Sequence, residues 1–176
     1  MVKFGGTGGK AKFSKVELPQ CPGEATHWMG LCKLGPYQVA FIGGHNRQNV
    51  KTCFILDIKS FEVTPLPDLI GIRHAPACCY LGGHIYAYGG YDGGYLNQML
   101  KLKIVMAPQE QRNQAWEQIP SSNLPNLAYC CLAVACPISS TEIVFMGGNN
   151  GGAYYDDVFL FNTETDRCAK VGGGGC

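Results

Sequence analysis

The chain has 176 residues, with 14 Lys and Arg against 13 Asp and Glu, so its net charge is +1. That balance excludes the basic field of a nucleic-acid binder. Only 15% of residues are charged and 24 are glycine, a profile of short strands joined by tight turns rather than of long helices. No run approaches the roughly 18 apolar residues of a membrane helix. The opening stretch, rich in Gly and Lys, lacks the apolar core of a secretory signal, so a cytoplasmic protein without a membrane partner is expected.

In chain order, residues 1–24 read as an N-terminal tail holding one outer strand at about 12–18. A first unit follows over 25–68. It contains a strand over 29–34 and a second one, Val39-Ala40-Phe41-Ile42, that ends in Gly43-Gly44. After the polar turn His45-Asn46-Arg47-Gln48 come strands over 53–57 and 61–65. Short runs rich in β-branched and aromatic residues, bounded by turn signals, are buried strands.

The same order recurs over 69–122. Residues 75–80 lead through Gly82-Gly83 to Ile85-Tyr86-Ala87-Tyr88 and Gly89-Gly90, then the turn Tyr91-Asp92-Gly93-Gly94, a strand over 99–103 and another over 116–120. A polar insertion at 104–115 lengthens this unit. The third copy, 123–171, has strands over 128–136, 143–146 (ending in Gly147-Gly148), 158–162 and 168–171, with the turn Asn149-Asn150-Gly151-Gly152. Cys32 and Cys78, 46 residues apart, are read as equivalent. Residues 172–176 read as a flexible Gly-rich tail that forms no packed strand.

The glycine doublets recur after 89 − 43 = 46 and 147 − 89 = 58 residues. Periods near fifty point to propeller blades. The expected fold is therefore all-β, with about three four-stranded antiparallel blades and an extra N-terminal outer strand in an incomplete ring.

Ten cysteines read as reduced structural thiols, because strand-borne Cys behaves as a small hydrophobe. Cys78-Cys79 and Cys130-Cys131 must point to opposite faces of their strands, and no Cys-x-x-Cys is present, so no metal site is expected. Phe4-Gly5-Gly6-Thr7-Gly8-Gly9-Lys10 lacks the spacing, the hydroxyl residue and the helix of a phosphate-binding loop. No cofactor or small-molecule substrate is expected.

The middle unit carries Arg73-His74, then Tyr86-Ala87-Tyr88-Gly89-Gly90-Tyr91-Asp92-Gly93. The third has Phe161-Asn162-Thr163-Glu164-Thr165-Asp166-Arg167-Cys168. These residues resemble the kelch repeat over about 25–171. The sequence departs from that pattern where His27 takes the place of the basic residue, Lys103 that of the strand-three Asp, and Phe61 and Cys168 that of Trp. The resemblance implies a non-catalytic scaffold for protein partners, such as a cytoskeletal linker or a subunit of a larger assembly. Three blades are too few to close a ring, so a partial propeller is expected, either an incomplete piece of a longer sequence or one arc that other chains complete or flank.

Two other roles follow from the same resemblance. One is substrate recognition in a ubiquitin-ligase adaptor. The other is a copper oxidase resembling galactose oxidase, for which His45, Tyr91, Tyr95 and Cys53 offer the atoms. The candidate partner-binding residues lie on the loops joining strands two and three: His45, Asn46, Arg47, Tyr91, Asp92, Tyr95, Asn149, Asn150, Tyr154 and Tyr155. Tyr and Arg are typical interface anchors. The 104–115 insertion is a second candidate contact.

Overall fold

The computed structural model describes residues 26–105, 108–124 and 131–173; the outer strand expected at 12–18 lies outside them. The described residues form three four-stranded antiparallel sheets. The first contains β1 (Gly30–Lys33), β2 (Gln38–Ile42), β5 (Cys53–Asp57) and β6 (Val63–Leu66), with the hairpin of β3 (His45–Asn46) and β4 (Gln48–Asn49) inserted after β2. The middle sheet contains β7 (Ala77–Leu81), β8 (His84–Tyr88), β9 (Met99–Lys103) and β10 (Glu117–Gln118). The third contains β11 (Val134–Pro137), β12 (Glu142–Met146), β13 (Val158–Asn162) and β14 (Arg167–Gly172). Each sheet is a meander, its strands adjacent in chain order.

The third strands lie where the sequence placed them, and the second strands begin one residue earlier. Elsewhere the register corrects the reading. Cys32 pairs with Ala40, Cys79 with Tyr86 and Cys136 with Val144. Each partner stands three residues before its glycine doublet, or two before the last strand residue, so Cys32 is equivalent to Cys79 and Cys136 rather than to Cys78. Pro76 precedes β7, so no proline interrupts that strand.

Fourth strands shift as well. Val63 lies opposite Leu56 as Cys168 lies opposite Phe161. Phe61 instead occupies the preceding turn, exposed and with φ of 62°, so it is not the counterpart of Trp116. Gly172 pairs with Val158, which extends the last strand one residue into the expected tail.

Packing follows from the two-residue period of a strand. Cys78, Ile85, Ala87, Leu100 and Leu102 of the middle sheet join Cys32, Ala40, Ile42, Cys53 and Leu66 in one core. Their chain neighbours Ala77, Cys79, Tyr86, Tyr88 and Met99 join Ile143, Phe145, Phe159, Phe161 and Cys168 in another. The middle sheet is therefore sandwiched, which explains why β7 and β8 are apolar at every position but His84. Burial of each large side chain contributes about 1.5–3 kcal/mol. Edge-to-face pairs Tyr86–Phe161 and Tyr88–Phe145, with centroids 5.5 and 5.3 Å apart, each add about 1 kcal/mol. A Lys101–Asp166 ion pair ties the same two sheets together.

The sheets come closest along their first strands, β1 and β11 both running beside β7. A groove of about 250 Å³ lies where they converge, lined by Met29, Leu31, Pro76, Cys78, Ala133 and Val134 among others. Just ahead of these strands the Leu132 N–H donates to the Ala75 carbonyl at 3.1 Å, and the Ala75 N–H to the Trp28 carbonyl at 2.6 Å. All three residues have φ between 50° and 59°, a left-handed conformation that L-residues adopt only when the surroundings hold them there.

A Cβ on Gly43 would collide with the Arg73 carbonyl, and one on Gly44 would lie 3.0 Å from the His27 carbonyl. Both residues have positive φ. The doublet is therefore required by conformation and by close backbone approach together. Arg73 is buried, donating from Nη1 to the Gly89 carbonyl at 2.9 Å and from Nη2 to Gln98 Oε1 at 3.1 Å. Burial lowers its pKa to about 10.

In the 104–115 insertion, α1 (Pro108–Gln111) ends on a buried glutamine. Gln111 accepts from the Val105 N–H at 2.7 Å and donates to the Lys103 carbonyl at 3.1 Å. The insertion is pegged to the end of β9 rather than merely solvated.

Two predictions follow from this packing. Gly30 faces the middle sheet so closely that a Cβ would overlap Cys78 Sγ and meet Pro76 Cγ at 2.8 Å. Gly30→Ala should cost about 1–3 kcal/mol, read as a lowered urea midpoint. The second concerns the thiols: the seven described cysteines are free, and six are buried. Burial pushes Cys32, Cys53, Cys79 and Cys168 up to about 12 from the ordinary 9.0. A thiol that holds its proton more tightly when folded contributes stability that is fully present below pH 9 and lost as pH rises toward 12. Circular dichroism and thiolate absorbance should therefore change together in alkali.

Candidate partner-binding surface

The loops after β2, β8 and β12 are built alike. The residue following each glycine doublet pairs back with the residue ahead of the first strand: His45 with His27, Tyr91 with His74, and Asn149 with Cys131. Each pair exchanges two backbone hydrogen bonds of 2.7 to 3.0 Å. The loop then closes on itself through His45–Asn49, Tyr91–Tyr95 and Asn149–Tyr154. All ten sequence-predicted residues thus lie at one end of the sheet stack.

Side chains join the first two loops into one cluster. Asn49 Oδ1 lies 2.8 Å from His45 Nδ1 and 2.6 Å from His74 Nδ1, while Asn49 Nδ2 donates to the Tyr91 carbonyl at 3.1 Å. An amide oxygen only accepts, so both imidazoles carry their hydrogen on Nδ1, leaving Nε2 bare in the neutral rings. Trp28 packs against this group at tilted and edge-on angles, its ring centroid 4.6 Å from His27, 5.1 Å from His74 and 5.7 Å from His45. Trp28 is 55% exposed, a broad aromatic surface supported from below.

Contact continues into the third loop. Tyr91 and Tyr95 meet edge to face at 5.1 Å, and the Tyr95 hydroxyl lies so near Gly151 that a Cβ there would come within 2.6 Å. Asn150 Nδ2 donates to the Tyr155 hydroxyl at 2.6 Å, and its Oδ1 accepts from the Ala153 N–H at 2.8 Å. Asp92 and Asn149 each accept from a loop N–H, at 3.1 and 3.2 Å. These polar side chains shape their own loops.

The predicted residues divide by exposure. Arg47 stands at the tip of the β3–β4 hairpin with φ of 54°, beside Asn46. Arg47, Asp92 and Tyr154 face solvent, Tyr154 at 91%. Tyr155 packs against the core between the middle and third sheets, and Tyr91 and Tyr95 are half-buried. Cys53 is not brought to the tyrosines. It is buried in the core between the first two sheets, its thiol donating to the Lys51 carbonyl at 3.5 Å.

Sequence reasoning missed Trp28 and Asn49, and gave His27 and His74 no place on this surface.

Among the described residues these features define an all-β fold of three stacked four-stranded antiparallel sheets with a continuous loop surface at one end. No protein-family model matches the sequence, and no curated protein matches it. Among the described residues no group of three His, Cys, Asp or Glu is arranged to hold a metal ion. No helix among them is long and apolar enough to cross a membrane.

Desolvation lowers the His74 pKa below the ordinary 6.5, with smaller contributions from His45 and His27. A base with a depressed folded pKa contributes stability present above about pH 6.5 and lost as pH falls through the folded value. An NMR titration should show His74 taking up its proton below 6.5. His74→Gln should flatten the fall in melting temperature below neutral pH.

Proposed function

We propose that the chain is a non-catalytic protein–protein interaction module, a kelch-type β-propeller arc serving as a structural subunit of a larger assembly. The observation that carries this reading is the continuous loop surface spanning three sheets, with Trp28, Arg47, Asp92 and Tyr154 exposed along it. Large aromatics and Arg, supported from below and flanked by polar groups, are the usual anchors of protein recognition. The kelch assignment draws on the recurring doublets, the four-stranded meanders and Arg73-His74 ahead of the middle sheet. Cytoskeletal linkage is one role within it.

Cross-linking capture with the immobilised chain tests the surface. Trp28→Ala and Tyr154→Ala change exposed side chains, so circular dichroism should stay unchanged. Their combination should weaken capture of the wild type's specific partners by about tenfold or more, as loss of an anchor worth about 1.4 kcal/mol or more would. Undiminished capture of the same proteins would refute the assignment of this surface.

A further inference from the structure

The histidine cluster at the loop end has its donors occupied and its acceptors open. Asn49 Oδ1 receives the Nδ1 hydrogens of both His45 and His74, at 2.8 and 2.6 Å. A neutral imidazole has one donor and one acceptor, so each ring offers further partners only the lone pair on Nε2. Among the described residues the buried polar side-chain atoms that lack a partner are Arg73 Nε and Asp166 Oδ1. Neither imidazole Nε2 is one of them, which leaves both half-buried rings with an acceptor that a partner can reach.

Trp28 supplies the other half of the site. Its indole leans on His74 at 36° with centroids 5.1 Å apart and meets His27 edge-on at 4.6 Å, yet the residue is 55% exposed. Its backbone is held in place, with φ of 55° and a carbonyl that accepts from the Ala75 N–H. An open aromatic face attracts a cation, and Trp does so most strongly. The exposed charged side chains of the adjoining loops, Arg47 on the β3–β4 hairpin and Asp92 after β8, balance formally. The preference therefore comes from the histidines and the indole.

We propose that this cluster receives an arginine side chain of a protein partner, its guanidinium lying on the Trp28 ring and donating to Nε2 of His45 and His74. The inference rests on the protein-interaction reading above and names the partner's chemistry. A guanidinium is planar, stacks on aromatic rings and presents several N–H donors in a fixed fork, which a compact ammonium cannot match.

Acid reverses the site. Imidazoles gain their charge as pH falls from about 8 to 5. The added proton on His45 or His74 must go to Nε2, since Nδ1 already holds one, and it turns the acceptor into a cationic donor. The groups facing His74 are His45 and Asn49 from the hairpin, His27 and Trp28 from ahead of β1, and Tyr91 from the loop after β8. None is a carboxylate that would offset the new charge, and the neighbouring Arg73 turns its guanidinium to Gly89 and Gln98.

N-acetyl-arginine amide, titrated into the full chain at about pH 7.5, should shift the Trp28 indole and the His45 and His74 ring signals in NMR spectra to saturation. N-acetyl-citrulline amide, similar in shape but uncharged, should bind about tenfold more weakly or worse. The arginine probe's dissociation constant should rise by about tenfold or more on acidification to about pH 5. Trp28→Leu, at an exposed position, should cause a similar loss with circular dichroism unchanged. Nitrogen-15 spectra of the wild type should show both rings as the Nδ1–H tautomer, a readout that needs no variant.

Absence of a saturable shift, citrulline binding as tight as arginine, undiminished binding at about pH 5, or an Nε2–H tautomer in both rings would overturn the proposal. Should the arginine probe fail while the combined Trp28 and Tyr154 variant still loses its partners, the protein-interaction reading stands and only the arginine assignment falls. Undiminished capture alongside a bound probe would refute the surface reading instead, and with it the protein source of the arginine.

Discussion

Close backbone approach at the glycine doublets sets the geometry on which the rest depends. Gly43 and Gly44 let the Arg73 and His27 carbonyls come against the end of β2, and the Gly44 N–H bonds the Arg73 carbonyl at 2.8 Å. The segment entering the middle sheet is thereby fixed to the end of the first. Arg73 then reaches forward to the carbonyls of Gly89 and Gln98. Its guanidinium makes these bonds in a site that withholds water, which is why burial, rather than a carboxylate partner, dominates its titration.

Once the first strands are held together, the strand period does the remaining work. Alternate residues of the middle sheet face opposite neighbours, so two adjacent cysteines, Cys78 and Cys79, belong to different cores. Among the described residues none belongs to both cores. The stack is consequently modular: each interface is an independent apolar layer, and the same layer can be repeated wherever another sheet presents a matching face.

The candidate loop surface lies where the modules are tied. The pairings that anchor the doublet loops also align those loops at one end, and Asn49 joins the first to the second by holding two histidines and a backbone carbonyl. Rigid placement of Trp28 and its neighbours would lower the entropy cost of any binding through them. The third loop spends its own polar groups on its own shape, with Asn150 and Tyr155 bonded to each other, and leaves Tyr154 projecting.

By itself the sequence determined the repeat, the sheet composition and the third strands. Doublet spacing and apolar runs are local patterns, and adjacent cysteines on a strand must face opposite ways. It also located the loop end that carries the candidate residues, because Asp-Gly and Asn-Gly turns are local signals. Tertiary structure decided the register of the first and fourth strands, which placed Cys32 with Cys79 and removed Phe61 from its strand; short strands lack enough alternation to define their own pairing. It alone brought Trp28, Asn49 and His74 together and buried Gln111. Those contacts join residues of separate segments or bury a polar side chain in a polar run, and no local pattern encodes either.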